Sequence, residues 1–147
     1  MPATHMQPLI VTAAIICHEG RVLVTQRPPQ ARHGGLWEFP GGKLEADETP
    51  AAALQRELRE ELDLPVTVGD IFDVVYHRYE WGAVLILAYL CTPAHTSVRN
   101  LQVADHRWVR PEELPDFPFL PADFPLIERL QLATAAGSWS FFRHISP

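Results

Sequence analysis

The segment LQRELREELD, Leu54 to Asp63, constrains the fold most because it combines an apolar face with a cluster of acids. On a helix of about 100° per residue, Glu57, Glu60 and Glu61 share one stripe, and leucines occupy the adjacent stripe. Like charges three or four residues apart repel, and the C-terminal end of a helix already carries negative partial charge. A solvated face, with Arg56 paired to Glu60, is one explanation of this pattern.

A bound divalent cation is the other explanation, because it would make the acidic stripe favourable. Hard cations such as Mg2+ prefer oxygen ligands, and three neighbouring carboxylates supply them at high density. The preceding residues favour a helix start, since the Thr49 hydroxyl can cap the helix and Pro50 suits its first position. The pattern therefore predicts a helix from Pro50 to about Leu62.

The rest of the chain predicts a mixed β-sheet around this helix. Periodicity and turn residues indicate strands at Leu9 to Cys17, Val22 to Arg27, Leu36 to Phe39, Val66 to Val68, Ile71 to Tyr79, Ala83 to Cys91 and His106 to Val109. A proline-rich ordered loop is predicted from Pro111 to Pro125. A second amphipathic helix is predicted from about Ala122 to Ala136, with Leu126, Ile127, Leu130 and Leu132 as its apolar residues.

Length and composition indicate one globular domain over residues 1–147, with a core from about residue 9 to residue 136. The chain has 147 residues, of which 47% are hydrophobic and 20% charged, which is typical of a folded domain. Cys17 and Cys91 lie in strand-like runs and are predicted to be buried and reduced. The aromatic final segment, GSWSFFRHISP, is expected to pack against the domain.

Charge and hydropathy exclude two classes of partner. The net charge of -6 argues against binding to nucleic-acid polymers, so an anionic substrate would need a local cation. The apolar run from Leu9 to Cys17 is too short to span a bilayer, and no basic cluster precedes it. A cytoplasmic protein without membrane association is therefore expected.

The stretch GGKLEADETPAAALQRELREELDL resembles the Nudix box, G-x5-E-x7-R-E-U-x-E-E-x-G-U, where U is a bulky aliphatic residue. The matching positions are Gly42, Glu48, Arg56, Glu57, Leu58, Glu60, Glu61 and Leu64. Asp63 stands where the family has glycine. Because Asp enters the left-handed conformation more easily than most residues, we expect the helix to end normally there.

The resemblance implies an α+β Nudix fold, an α/β/α sandwich in which a mixed sheet is flanked by helices and the box forms a loop-helix-loop. It also implies hydrolysis of a nucleoside diphosphate linked to a further group, with Mg2+ or Mn2+ as cofactor. By this resemblance Glu57, Glu60 and Glu61 are metal ligands, and the Gly41 carbonyl is a further ligand.

The same resemblance supplies an expected catalytic set of Glu57, Glu60, Arg56 and Glu48. Arg56 resembles the family arginine that orients a box glutamate, and Glu48 resembles the residue that supports the loop. The catalytic base is left open, because relatives carry a glutamate where Gln102 stands, and glutamine cannot take a proton. Asp105, His106 and a box glutamate are the alternatives.

From about Leu9 to Leu132 the chain resembles the MutT-type nucleotide pyrophosphohydrolases, through LWEFPGGK, TQR and LPADFPLIERL. Such enzymes would convert a damaged or modified nucleoside triphosphate to monophosphate and pyrophosphate, in support of DNA repair. By this similarity Arg27 contacts phosphates, and Phe39 and Asp123 contact the base. Taken alone, Arg27 also fits a surface position, Phe39 the core, and Asp123 a helix cap.

The preferred base is also open at this point. An ionised Asp123 only accepts hydrogen bonds, which suits the exocyclic amine of cytosine or adenine, and LPADFPL resembles the CTP pyrophosphohydrolase branch. Guanine N–H groups also donate, so 8-oxo-dGTP is an alternative substrate. Two other functions are retained: hydrolysis of nucleotide sugars or dinucleotides, and nucleotide binding without catalysis. The protein is expected to be a monomer or a homodimer.

Overall fold

A computed structural model describes residues 7–136, which form a seven-stranded mixed sheet with two α-helices. The strands are β1 Leu9–His18, β2 Arg21–Gln26, β3 Trp37–Glu38, β4 Gly41–Lys43, β5 Val66–Tyr79, β6 Gly82–Pro93 and β7 Asp105–Val109. The helices are α1 Pro50–Leu62 and α2 Phe124–Ala135, and short 3-10 helices occupy Pro111–Asp116 and Pro121–Asp123. The predicted fold class is confirmed.

The sheet is organised around β1 and β6, which run parallel to each other. The strand order is β3-β2-β1-β6-β5, with β4 paired to β1 and β7 paired to β2. All pairings between these strands except that of β1 with β6 are antiparallel. A strand covered on both faces needs apolar residues at nearly every position. This explains the continuous apolar runs in the sequences of β1 and β6.

Each face of the sheet has its own core, because successive strand residues point to opposite sides. Ala14 and Ile16 pack with the buried leucines of α1. Ala13 and Ile15 belong to the second core, which α2 covers. The box helix is therefore fixed to one face of β1, while the other face of β1 is available to line a site.

Helix α1 begins and ends as the sequence predicts. The Thr49 hydroxyl accepts a hydrogen bond from the backbone N–H of Ala52 at 3.1 Å, and Pro50 is the first helical residue. Asp63 follows the last turn with φ 52° and ψ 42°, and its N–H donates to the Arg59 carbonyl at 3.0 Å. The expected left-handed conformation of Asp63 is confirmed.

Several predicted details differ in the structure. Leu132 is 68% exposed rather than part of the apolar face of α2, which begins at Phe124 and ends at Ala135. The two strands predicted between residues 66 and 79 are one strand, β5, interrupted by bulges. The proline-rich segment contains the two 3-10 helices, because proline is compatible with their first positions.

Two other expectations concern cysteines and chain segments. Cys17 and Cys91 are buried and form no disulfide bond, as predicted. The expected packing of the GSWSFFRHISP segment concerns residues 137–147, which lie outside the described range. Within residues 7–136, none of the helices has the length and apolar character needed to cross a membrane.

Candidate active site

A cavity of about 510 Å3 lies between the box helix, the open face of β1 and β6, and the Pro121–Asp123 turn. This volume is in the range of small-molecule sites. Four glutamates line the cavity, Glu38, Glu45, Glu57 and Glu61, together with the cationic side chains of Arg27, Arg32 and Lys43. The lining also contains the buried Asp123 and a set of apolar residues, Leu9, Val11, Val84, Ile86, Phe39, Leu120 and Ala122.

Arg56 holds three glutamates of the box by hydrogen bonds. Its Nε donates to Glu48 Oε2 at 2.7 Å and its Nη2 to Glu48 Oε1 at 3.0 Å, and its Nη1 donates to Glu57 at 3.0 Å and Glu60 at 3.1 Å. The bond to Glu48 lowers the pKa of that carboxyl, and bonding to Glu48 and Glu57 raises the pKa of Arg56. A solvated helix face explains the bond to Glu60, but it does not explain the pairing with Glu48 and Glu57.

The two glycines that begin the box allow a close approach of backbone and carboxylate. A Cβ atom at Gly42 would overlap the carboxylate of Glu57, and one at Gly41, whose φ is 153°, would collide with the Thr12 carbonyl. Gly41 pairs with Ala13 of β1. The Glu57 carboxylate therefore occupies a cradle that exists only because Gly42 has no side chain.

The ionised form of the Glu61 and Glu57 carboxyls is unfavourable at the cavity wall. Burial raises the pKa of Glu61 to about 9, the Glu38 and Glu57 carboxylates add to this, and a hydrogen bond from the Gly41 backbone opposes it. Burial also raises the pKa of Glu57, against the effect of Arg56. A cation placed between these carboxylates would relieve the charge repulsion.

The acidic residues fit a divalent cation in chemical type, since their donors are carboxylate oxygens beside the Gly42 cradle. Their present geometry is not that of a closed ion cage: in the 7–136 range, no three His, Cys, Asp or Glu side chains are gathered closely enough to hold an ion. Glu57 and Glu60 point to Arg56, and Glu60 lies outside the cavity lining. Only Glu57, Glu61 and Gly41 of the predicted ligands line the cavity.

Arg27 lines the cavity but has a partner that sequence reasoning missed. Its Nη1 donates to both carboxylate oxygens of Glu38, at 3.1 and 3.3 Å, and its Nε donates to the Arg32 carbonyl at 2.6 Å. Glu38 lies next to β2 in the sheet. Burial raises the pKa of Glu38, and Arg27 opposes that shift. The sequence feature that could have indicated this partner is the single acid between two aromatic residues in LWEF.

Asp123 and Phe39 meet in the lining of the cavity. Asp123 is 4% exposed, and its Oδ2 accepts a hydrogen bond from the Phe39 backbone N–H at 3.1 Å. Asp123 stands at the N-cap position of α2 but makes no capping hydrogen bond. Phe39 is both a core residue and a lining residue, with its ring 5.5 Å from that of Phe119.

The environment of Asp123 corrects the assumption that its carboxyl is ionised. Burial raises the pKa of Asp123 to about 8, and the charge of Glu38 adds to the shift. The protonated form therefore predominates at neutral pH. A protonated carboxyl can donate one hydrogen bond as well as accept.

The alternative base candidates lie elsewhere. The backbone N–H of Gln102 donates to the Glu61 carbonyl at 3.1 Å, in the last turn of α1. Asp105 pairs with Arg107 at 3.4 Å, and the His106 ring is 2.6 Å from Asn100 Oδ1. The lining of the cavity, as far as residues 7–136 define it, contains neither Gln102, Asp105 nor His106.

Sequence reasoning also missed a cluster at the cavity mouth, formed by Arg32, His33, Tyr79 and Trp81. The indole N–H of Trp81 donates to His33 Nε2 at 3.2 Å, and the Trp81 and Tyr79 rings stack at 5.4 Å. The Tyr79 hydroxyl accepts a hydrogen bond from the Ala122 backbone at 3.1 Å. Their scattered positions gave no pattern that could predict the cluster.

A mixed sheet that presents arginine-held glutamates on a loop-helix-loop beside a small-molecule cavity defines a Nudix hydrolase. The chain belongs to the Nudix family, since the family model described as a NUDIX domain matches residues 11–129. It is 41% identical over 134 residues to the CTP pyrophosphohydrolase of Escherichia coli, covering 89% of this chain and 97% of that protein.

Two further similarities agree with this assignment. The 8-oxo-dGTP diphosphatase of Proteus vulgaris is 42% identical over 85 residues, which cover 57% of this chain and 76% of that protein. The solution structure of the E. coli ORF135 protein superimposes with a TM-score of 0.79 at 38% identity, covering 92% of this chain and 97% of that one. The protein is therefore a Nudix hydrolase with a MutT-like fold.

Proposed function

We propose that the protein is a Mg2+-dependent nucleoside triphosphate pyrophosphohydrolase that converts a modified nucleotide to its monophosphate and pyrophosphate. The observation that carries the proposal is that one cavity is lined both by apolar residues with the buried Asp123 and by the box carboxylates Glu57 and Glu61. A base would contact Phe39 and Asp123, and the phosphates would lie towards Glu57 and Glu61. The charge of Arg27 acts on both groups, since it opposes the pKa increases of Glu61 and Asp123.

The box residues would hold the metal ion. Glu57, Glu61 and the Gly41 carbonyl offer oxygen donors from the cavity wall, and Glu60 offers one from the solvent side. When bound, Mg2+ or Mn2+ neutralises phosphate charge and activates a water molecule. Arg56 keeps Glu57 and Glu60 oriented, and Glu48 anchors Arg56 to the loop before the helix.

We assign the catalytic base to a box glutamate. Glu57 and Glu61 line the cavity, whereas Gln102 cannot take a proton and lies outside the lining.

The relatives and the state of Asp123 support two substrate groups. One relative is named a CTP pyrophosphohydrolase and another an 8-oxo-dGTP diphosphatase. A protonated Asp123 can donate and accept, so it would pair with cytosine N3 and its amine or with guanine O6 and its N–H. We propose modified pyrimidine triphosphates as the first candidates, because the CTP relative matches nearly its whole length.

The test is a product-resolved assay with Mg2+ on 8-oxo-dGTP, dGTP, CTP, 5-methyl-dCTP and ADP-ribose. We expect pyrophosphate and a monophosphate from one modified triphosphate in preference to the others. Glu57→Gln should lose this activity, and Glu112→Gln, at an exposed position outside the cavity lining, should retain it. Turnover of ADP-ribose alone would favour a nucleotide-sugar hydrolase, and binding without turnover would favour a non-catalytic module.

A further inference from the structure

The cluster at the cavity mouth connects two segments that are far apart in the sequence. Arg32 and His33 belong to the loop of residues 28–35, between β2 and β3, which we call the 28–35 loop. Trp81 belongs to the turn between β5 and β6, and Tyr79 is the last residue of β5. None of these four residues has a role in the proposed chemistry, although all four line the cavity.

The link between the two segments is specific in its geometry. The Trp81 indole N–H donates to His33 Nε2 at 3.2 Å, which requires a neutral His33 with its proton on Nδ1. The His33 ring also lies 4.7 Å from the Tyr79 ring, and the Arg32 guanidinium lies 4.0 Å over the Trp81 ring. A hydrogen bond, a ring contact and a cation–π contact therefore join the 28–35 loop to Tyr79 and Trp81.

The backbone conformation of His33 needs restraint from its surroundings. His33 has φ 59°, in the left-handed region that residues other than glycine rarely adopt. Such a conformation persists where the surrounding structure determines it. Hydrogen bonds within the loop, such as that from the Leu36 N–H to the His33 carbonyl at 3.2 Å, supply part of the restraint, and the contacts from Tyr79 and Trp81 add to it.

The conformation of this loop determines where Arg27 points. The Arg27 backbone N–H donates to the Leu36 carbonyl at 2.9 Å, and its carbonyl accepts from Gly35 at 3.0 Å, which closes the loop on Arg27. Its Nε donates to the Arg32 carbonyl at 2.6 Å and its Nη1 donates to Glu38 at 3.1 Å. In the part of the chain that the structure describes, Nη2 donates no hydrogen bond, so it is available to an anion in the cavity.

We propose that the Trp81–His33 hydrogen bond latches the 28–35 loop to the β5–β6 turn, and that this latch positions Arg27 for contact with the substrate's phosphates. The inference rests on the proposed function only in that the ligand carries phosphates. Trp81 and His33 are positioning residues, because they act through the Arg32 carbonyl and Arg27 rather than on the reacting atoms.

Trp81→Phe tests the latch, because it removes the indole N–H and retains an aromatic ring for Tyr79. The probe is inorganic tripolyphosphate with Mg2+, measured by titration calorimetry, which reports phosphate binding without a base or turnover. Loss of the hydrogen bond should raise the Kd about threefold to tenfold. His33→Asn should have a similar effect, since Asn tolerates the left-handed backbone but is too short to reach Trp81. Trp108→Phe, outside the cavity lining, is the matched control and should leave the Kd unchanged.

A double-mutant cycle separates positioning of Arg27 from a general effect on the cavity. Arg27→Lys keeps the charge but cannot make the Nε contact, so Trp81→Phe should cause no further loss in that background. An undiminished effect of Trp81→Phe in the Arg27→Lys protein would overturn the proposal. An unchanged Kd in Trp81→Phe, or no tripolyphosphate binding by the unmodified protein, would also overturn it.

The same data distinguish this inference from the proposed function. Coupling between Trp81 and Arg27 in a protein that releases no pyrophosphate from any triphosphate would support the latch and refute the proposed reaction. Normal pyrophosphate release without coupling would support the reaction and refute the latch.

Discussion

Replacement of Asp123 by Asn should make the protein more stable at neutral pH and should remove part of its pH dependence. Burial raises the pKa of Asp123 from 3.8 to about 8 in the folded protein. The unfolded chain therefore loses this proton near pH 4, whereas the folded protein keeps it up to about pH 8. Unfolding releases a proton throughout that window, so the free energy of unfolding falls as the pH rises from 4 to 8.

The magnitude follows from the width of the window. Each pH unit inside it is worth about 1.4 kcal/mol for one proton, so the wild-type protein should lose about 3 kcal/mol between pH 5 and pH 7.5 relative to Asp123→Asn. The Asn side chain keeps an oxygen that can accept from the Phe39 backbone N–H, as Asp123 does at 3.1 Å. The variant should therefore gain stability relative to wild type as the pH rises, without losing that contact.

The assay is urea unfolding at pH 5, 6, 7 and 7.5, followed by tryptophan fluorescence and circular dichroism. Asp116→Asn, at an exposed position on the preceding 3-10 helix, is the matched control and should follow the wild-type pH dependence. Parallel stability curves for Asp123→Asn and wild type across this range would refute a buried, protonated Asp123.

Three further predictions concern the box. Asp63→Gly should raise the free energy of unfolding by about 1 kcal/mol, because glycine adopts the left-handed φ of 52° without strain. Urea unfolding measures this change, and no gain in stability would show that Asp63 is not strained at the helix end. Glu60→Gln should lose Mg2+-dependent turnover. Its melting temperature without metal should be unchanged, since the amide oxygen can still accept a hydrogen bond from Arg56. Near-normal turnover would show that Glu60 is not a metal ligand. Gly42→Ala should weaken Mg2+ binding, measured by calorimetry, by at least about tenfold, because the new Cβ would displace the Glu57 carboxylate. Unchanged Mg2+ affinity would show that the position of the Glu57 carboxylate beside Gly42 has no role in metal binding.

The features that could be predicted from the sequence depend on local rules. The limits of α1 follow from the Thr49 cap, the Pro50 start and the left-handed Asp63, all within a few residues of the helix. Six of the seven strands within residues 7–136 follow from alternating or continuous apolar runs, whereas β4, Gly41–Lys43, was not predicted because it has no such run. The resemblance to the box singled out Arg56 and Glu48 separately, and the structure joins them by a hydrogen bond of 2.7 Å that the sequence did not predict.

The features that could not be predicted depend on contacts between distant segments. Asp123 and Phe39 are 84 residues apart, and Trp81 and His33 are 48 residues apart. No periodicity or propensity relates such pairs, because their contact is produced by the order of strands in the sheet. The protonation of Asp123 was missed for the same reason, since it depends on burial by several elements.

The exposure of Leu132 shows a related limit. A leucine near the end of an amphipathic helix fits the apolar pattern, but the buried side chains of α2 are those of Leu126, Ile127 and Leu130, all before Leu132. Where a helix extends beyond the surface that it covers, the pattern continues without burial. Periodicity predicts which side of a helix can be buried, and tertiary contacts determine how far the burial extends.

We propose that this Nudix hydrolase cleaves a nucleoside triphosphate between its α and β phosphates. The test is 31P NMR of the products formed with Mg2+ from 5-methyl-dCTP, CTP and 8-oxo-dGTP, with Glu57→Gln as the control. We expect a nucleoside monophosphate and pyrophosphate in equal amounts from at least one of them, and neither product with the variant. Release of a nucleoside diphosphate and inorganic phosphate, or no product from any triphosphate, would contradict it.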